Sequence, residues 1–232
     1  MELISVSPIM RQVVEETDLV TRFGVSAMLV TGETGVGKEH LARFVHGRDR
    51  RIPGPLVVVR CHRGSAADGA SDDSREGEGV SLSSALEQAA GGTLLLKDVQ
   101  HLTPAEQQKL LKWSDSAWGG NPARRTRIIC SASPSFFDEV LAGRFSATLY
   151  YRLNVVHVRV PPLRQRPDDL EPLLRHFMNE AASRQNVAPP PFEEMWRLAL
   201  RRHQWPRNAH ELRELADSIV TRRAPNPFFR RL

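Results

Sequence analysis

The sequence predicts an α/β fold, a three-layer domain on a parallel sheet followed by a small C-terminal helical lid. Three observations carry that expectation. Five short apolar runs alternate with helical patterns between Ala27 and Val158, the arrangement of a parallel sheet covered by helices. A glycine-rich turn of phosphate-binding spacing joins the first run to its helix. After Pro161-Pro162-Leu163 no strand pattern returns and three helical segments follow. The expected division is therefore an α/β domain over 1–162 and a helical lid with a basic tail over 163–232.

Ser7-Pro8 reads as a helix N-cap with proline in the first turn, and Met10, Val13, Val14 and Leu19 recur at helical spacing up to Gly24. Ala27-Met28-Leu29-Val30 is a short continuous apolar strand of the buried parallel kind. It runs into the 32–39 turn and a helix carrying Leu41, Ala42, Phe44 and Val45. A second strand, Leu56–Val59, leads to Cys61. From His62 to Val80 apolar periodicity disappears, and Gly, Ser and acidic residues read as a surface loop. A helix from Leu82 to Ala89 and a strand over Thr93–Leu96 come next. Thr103-Pro104-Ala105-Glu106 is a capping box opening a helix with Leu110, Leu111 and Trp113. Strands are expected over Arg127–Cys130 and Val155–Val158, and lid helices over 170–182, 192–202 and 209–221.

With 232 residues, 41% hydrophobic and 25% charged, the chain has the composition of a globular protein rather than a disordered one. No apolar run approaches the ~20 residues of a membrane span. The start, Met1-Glu2-Leu3-Ile4, lacks the pattern of a secretory signal. Two cysteines without CxxC spacing argue against a disulfide scaffold or zinc ribbon and suit a cytoplasmic protein. Of 32 basic residues only Lys38, Lys97, Lys109 and Lys112 are lysine, and the net charge is +5. That excess is compatible with a nucleic-acid or nucleotide partner and equally with an arginine-rich coding bias.

Gly32-Glu33-Thr34-Gly35-Val36-Gly37-Lys38-Glu39 has the phosphate-loop spacing, with a strand before it and a helix after. Its glycines let successive backbone N–H groups converge on phosphate oxygens, the helix adds its positive dipole end, and Lys38 reaches the outer phosphates. Glu39 departs from the general motif, in which a Ser or Thr hydroxyl at this position touches magnesium.

Five blocks in order carry a resemblance: 32–39 above, Gly-Gly-Thr-Leu-Leu-Leu (91–96), Leu-Tyr-Tyr-Arg-Leu-Asn-Val-Val (149–156), Pro-Pro-Leu-Arg-Gln-Arg (161–166) and Trp-Pro-Arg-Asn-Ala-His-Glu-Leu (205–212). Over nearly the whole chain they resemble the AAA+ domain of bacterial enhancer-binding proteins, the ATP-driven activators of sigma-54 RNA polymerase. The resemblance implies an AAA+ P-loop NTPase fold and ATP as ligand. It also implies partners in a ring, usually a hexamer, built from copies of this chain or a homologous subunit. Glu39 then matches the family's own habit. The family's sensory domain and helix-turn-helix are not expected in this sequence, so DNA contact through such a motif is not implied.

The departures from the family fall on the chemistry. The third strand should end in Asp-Glu, the first holding magnesium and the second polarising the attacking water; this chain has Lys97-Asp98. A lysine beside Mg²⁺ has the wrong sign, so magnesium is left open, and Asp98 is one methylene shorter than the expected glutamate. Arg60 stands where the family restrains its catalytic Glu with Asn, and Ser133 aligns with the sensor Asn. Ser146 aligns with the first of two arginines sent into the neighbouring subunit, and only the second survives, as Arg152. His210 aligns with the lid arginine that reads the γ-phosphate. No Gly-Ala-Phe-Thr-Gly-Ala hexapeptide, the family's sigma-contacting loop, lies between Cys61 and Leu82, which argues against sigma-54 remodelling in the family's manner.

The expected site is thus Gly32 to Glu39 for the nucleotide, with Asp98 and, across a subunit boundary, Arg152 as catalytic candidates and His210 as a further nucleotide contact. Arg152 equally suits a structural role against helix carbonyls, and His210 an ordinary helix surface. Arg164 and Arg166 suit a lid hinge or a solvated turn. His62 beside Cys61 would hold a metal only with converging partners, and Trp113 and Trp118 suit packing. The basic pairs around Pro225–Phe229 suit a frayed terminus or a nucleic-acid contact. The leading reading is an ATP-binding regulator with hydrolysis weak or lost. The alternatives are an active ATPase driving sigma-54-dependent transcription and a non-enzymatic or decayed interaction module.

Overall fold

The computed structural model describes residues 3–62, 81–119 and 126–222; the expected 62–80 loop from residue 63 onward, and the basic tail, lie outside them. Strands β1 (Ala27–Thr31), β2 (Leu56–Arg60), β3 (Thr93–Lys97), β4 (Arg127–Ala132) and β5 (Val156–Arg159) pair in parallel throughout, in the order β2-β3-β4-β1-β5. Helices α1 (Pro8–Phe23), α2 (Lys38–Arg48), α3 (Leu82–Gln88), α4 (Pro104–Gly119), α5 (Phe136–Leu141), α6 (Ala147–Leu153), α7 (Leu170–Gln185), α8 (Glu194–Arg202) and α9 (Ala209–Arg222) precede, connect and follow them.

Sheet order explains which strands are wholly buried. β1 and β4 lie inside the sheet and are buried at every residue, whereas the edge strands β2 and β5 keep partly exposed positions. A parallel strand covered on both faces is built mainly of apolar side chains, and a polar one there needs a partner. The Thr103 capping box forms as expected. Thr103 N donates to Glu106 Oε2 at 2.8 Å and Glu106 N donates to Thr103 Oγ1 at 3.3 Å. The last strand begins one residue later than its apolar run, with Val155 exposed. Helices α5 and α6 were not expected. They are six and seven residues long, too short for a helical period to stand out from sequence.

The described residues gather into two compact units. Of the described residues, one unit contains those within 16–31 and 38–159, and the other those within 3–15, 32–37 and 160–222. In the first, Leu94, Leu96, Ile128, Cys130, Phe136 and Phe145 form the centre of the core, and Trp113 and Trp118 pack against it. In the second, α7, α8 and α9 enclose Trp205, Leu163, Leu174 and Leu212. Trp205 is fully buried, and its Nε1–H donates to Leu200 O at 2.8 Å, so the indole keeps a polar partner inside an apolar core.

A buried ion pair lies inside the first unit. Arg127, on the buried β4, donates from Nε to Val25 O at 3.1 Å and from Nη2 to the Asp49 carboxylate. Arg51 donates to the same carboxylate from its backbone N at 3.0 Å. Burial alone would raise the Asp49 carboxyl, but hydrogen bonds from Arg51 and Arg127 override it and hold the group below its ordinary value. Removing one partner of such a pair strands the other charge. Asp49→Ala is therefore expected to lower unfolding free energy by about 3–5 kcal/mol, read from urea denaturation. Because the folded value is depressed, the carboxylate's contribution is complete above the unfolded value of about 4 and is lost as pH falls through the folded one. The stability gap between wild type and Asp49→Asn is expected to be flat near neutrality and to narrow only in acid.

Candidate functional site

β1 ends at Thr31 and α2 begins at Lys38, so the six residues between them make the whole turn. Gly35 and Gly37 have φ of +79° and +102°, a region L side chains rarely enter. A Cβ on Gly35 would lie 2.3 Å from Arg207 O and 2.8 Å from His210 Cδ2, so glycine is required there for close approach as well.

Three consecutive loop carbonyls are held from the C-terminal part of the chain. Asn208 Nδ2 donates to Thr34 O at 2.9 Å, Ala209 N to Gly35 O at 3.0 Å, and Arg166 Nη2 to Val36 O at 2.7 Å. In a planar trans peptide the carbonyl and the following N–H point in opposite directions. Fixing those carbonyls therefore turns the N–H groups of Gly35, Val36 and Gly37 the other way. Successive amides aligned in this way are the arrangement that an anion-binding nest requires. Glu33 is itself held, by Arg164 Nη1 at 2.8 Å and Asn208 Nδ2 at 3.2 Å. Arg166 and Asn208 are buried. The sequence reading passed over Asn208 and left Arg166 as either a hinge or a solvated turn; their position inside two quoted blocks was the available signal.

The ends of β2 and β3 carry the altered chemistry. Arg60 pairs with Lys97 in the sheet register. Lys97 Nζ donates to Glu39 Oε2 at 2.5 Å, while Arg43 Nη2 donates to Glu39 Oε1 at 2.7 Å. Burial would raise the Glu39 carboxyl, but the hydrogen bonds from Lys97 and Arg43 outweigh it and hold the group below the ordinary carboxylate range. Asp98 adopts a left-handed backbone, φ +57°, with its N–H donating to Ser131 Oγ at 3.3 Å. Its carboxylate lies 3.8 Å from Arg60 Nε. The neighbouring Cys61 is a buried thiol whose pKa burial raises, helped by Glu106 and Asp98, to about 12, so it is no nucleophile near neutrality.

These residues do not fit Mg²⁺. A protonated Lys97 offers no lone pair, and both Glu39 oxygens already accept from cations. Among the described residues no three His, Cys, Asp or Glu side chains gather as a metal site. Arg152 is held within its own chain by Ser114 Oγ, at 3.2 Å, and by the Asp115 carboxylate. Ser146 caps α6, accepting from Leu149 N at 3.3 Å. Ser133 Oγ lies 3.2 Å from Ser135 Oγ. The exposed His210 stands beside Gly35.

Asn208 combines φ +50° with three hydrogen bonds, to Thr34 O and Glu33 and from Leu163 N. Asn208→Ala is expected to cost about 2–4 kcal/mol in chemical denaturation, because it removes those bonds and leaves a Cβ-only residue in the left-handed region.

Two family matches cover the chain: the Sigma-54 interaction domain over residues 3–159 and the AAA+ ATPase lid domain over residues 164–226. The transcriptional regulatory protein FlbD of Caulobacter vibrioides is 34% identical over 217 residues, 88% of this chain and 48% of that protein. The crystal structure of NtrX from Brucella abortus in complex with ADP superposes with a TM-score of 0.77 at 29% identity, covering 97% of this chain and 53% of that one. Its complex with ATP gives 0.76 at 28% identity, covering 95% and 53%. The chain thus spans about half the length of these relatives. With the sheet, the phosphate-loop turn and both family matches in agreement, this chain belongs to the Sigma-54 interaction domain family, on an AAA+ P-loop NTPase fold.

Proposed function

We propose that the chain binds ATP on Gly32–Glu39 and hydrolyses it weakly or not at all, acting in the cytoplasm as a regulatory subunit of sigma-54-dependent transcription. The observation that carries this is the contrast between the two halves of the site. The loop carbonyls are held so that the amides form a phosphate nest, while Lys97 occupies Glu39 at the place where turnover needs a metal ligand. Phosphoryl transfer is catalysed by positioning and by charge stabilisation. Binding needs only the first half; turnover needs both.

In this reading bound ATP is a ligand that sets assembly, and His210 beside Gly35 senses the phosphates. Arg152 acts on a neighbouring subunit's nucleotide, from a second copy of this chain or a homologue. The Asp115 side of its present ion pair is 59% exposed; such a surface pair is worth about 0–1 kcal/mol, so a subunit contact can replace it. The division at residues 162 and 163 separates nucleotide domain from lid. Contact with sigma-54 itself is outside the proposal, since the sequence between Cys61 and Leu82 lacks the family's contacting hexapeptide.

Titration with a fluorescent ATP analogue is expected to saturate for wild type and to fail for Lys38→Ala. A phosphate-release assay is expected to show no turnover above the Lys38→Ala background. Turnover that Asp98→Asn abolishes would instead establish the active ATPase, with Asp98 polarising water. Absence of any saturable binding would leave an interaction module.

A further inference from the structure

We infer that Lys97 serves as a built-in cation in place of the nucleotide's magnesium, so that the ligand is free ATP rather than its magnesium complex. The inference rests on the proposed nucleotide site and concerns the ionic form of what binds there.

Position supplies the first argument. Glu39 follows Lys38 in the first turn of α2, where a phosphate-loop protein places its magnesium-touching hydroxyl. Lys97 ends β3, where a carboxylate holds the same ion from the strand side. The two side chains that would flank the metal therefore meet each other directly, at 2.5 Å. An ammonium and a carboxylate in contact leave no ligand vacancy between them, and divalent-ion binding would have to break that pair and hold two cations side by side.

Charge supplies the second. Arg43 and Lys97 are two cations bonded to the single Glu39 carboxylate. The surplus is positive without any metal, and suits the four negative charges of free ATP. The Lys97 side chain is 24% exposed, and an ammonium has three donors. One donor engaged by Glu39 leaves others able to turn toward a phosphate oxygen. An ordinary site has a carboxylate at the strand end and requires Mg²⁺ to offset it; this one has inverted the sign of that residue and with it the requirement.

The test is a titration of the full chain with a fluorescent ATP analogue, once with excess Mg²⁺ and once with EDTA. The account expects binding in EDTA at least as tight as in Mg²⁺. Lys97→Met keeps the apolar stem and removes the charge; it is expected to weaken binding in EDTA by about tenfold or more, the scale of one charge-assisted hydrogen bond. Lys97→Asp is expected to bind in Mg²⁺ and lose that binding in EDTA. Wild-type binding that requires Mg²⁺ overturns the inference while leaving the proposed nucleotide site intact. No saturable binding in either buffer overturns both. The wild-type comparison decides even if a variant fails to fold.

Discussion

Arg166 and Asn208 hold the carbonyls of Val36 and Thr34, and the direction of the loop amides depends on those bonds. A six-residue turn rich in glycine has many conformations available, and ordering it costs conformational entropy that its few apolar contacts do not offset. Buried side-chain donors from the C-terminal part of the chain select one of these conformations, because a buried guanidinium or amide left without an acceptor is costly. Asn208 is also bonded by Leu163 N, so the same residue that fixes the loop fixes the start of the C-terminal segment. The conformation of the loop is thereby a property of the folded lid segment and loop together.

The sheet fixes the charges at the ends of β2 and β3 with equal directness. Parallel register sets Arg60 beside Lys97, and the next residue, Asp98, faces Arg60. Each acid that a metal-dependent hydrolase would keep available is here engaged by a base: Glu39 by Lys97 and Arg43, Asp98 by Arg60. For Glu39 the hydrogen bonds from Lys97 and Arg43 outweigh burial and make it a weaker proton acceptor.

Much of this was legible in the residues. The strands appeared as apolar runs because a doubly covered sheet tolerates little else, and the loop appeared because its spacing is tied to the backbone geometry of phosphate binding. Lys97 stood out as the wrong sign at its position. What the residues did not reveal was pairing. That Lys97 meets Glu39, 58 residues earlier, is a consequence of strand order, and strand order is not written in apolar periodicity. Arg127 was counted among strand residues with no sign that it would be buried against Asp49. Ser146, seen only as a missing arginine, has taken up helix capping, a local task that serine performs well and arginine does not. The short α5 and α6 escaped notice because one or two turns do not establish a period.

The central claim, that this member of the family holds ATP without its metal and without splitting it, is most directly tested by native mass spectrometry after long incubation with ATP and Mg²⁺. The account predicts a complex carrying intact ATP and no magnesium. A complex carrying magnesium with ADP would contradict it.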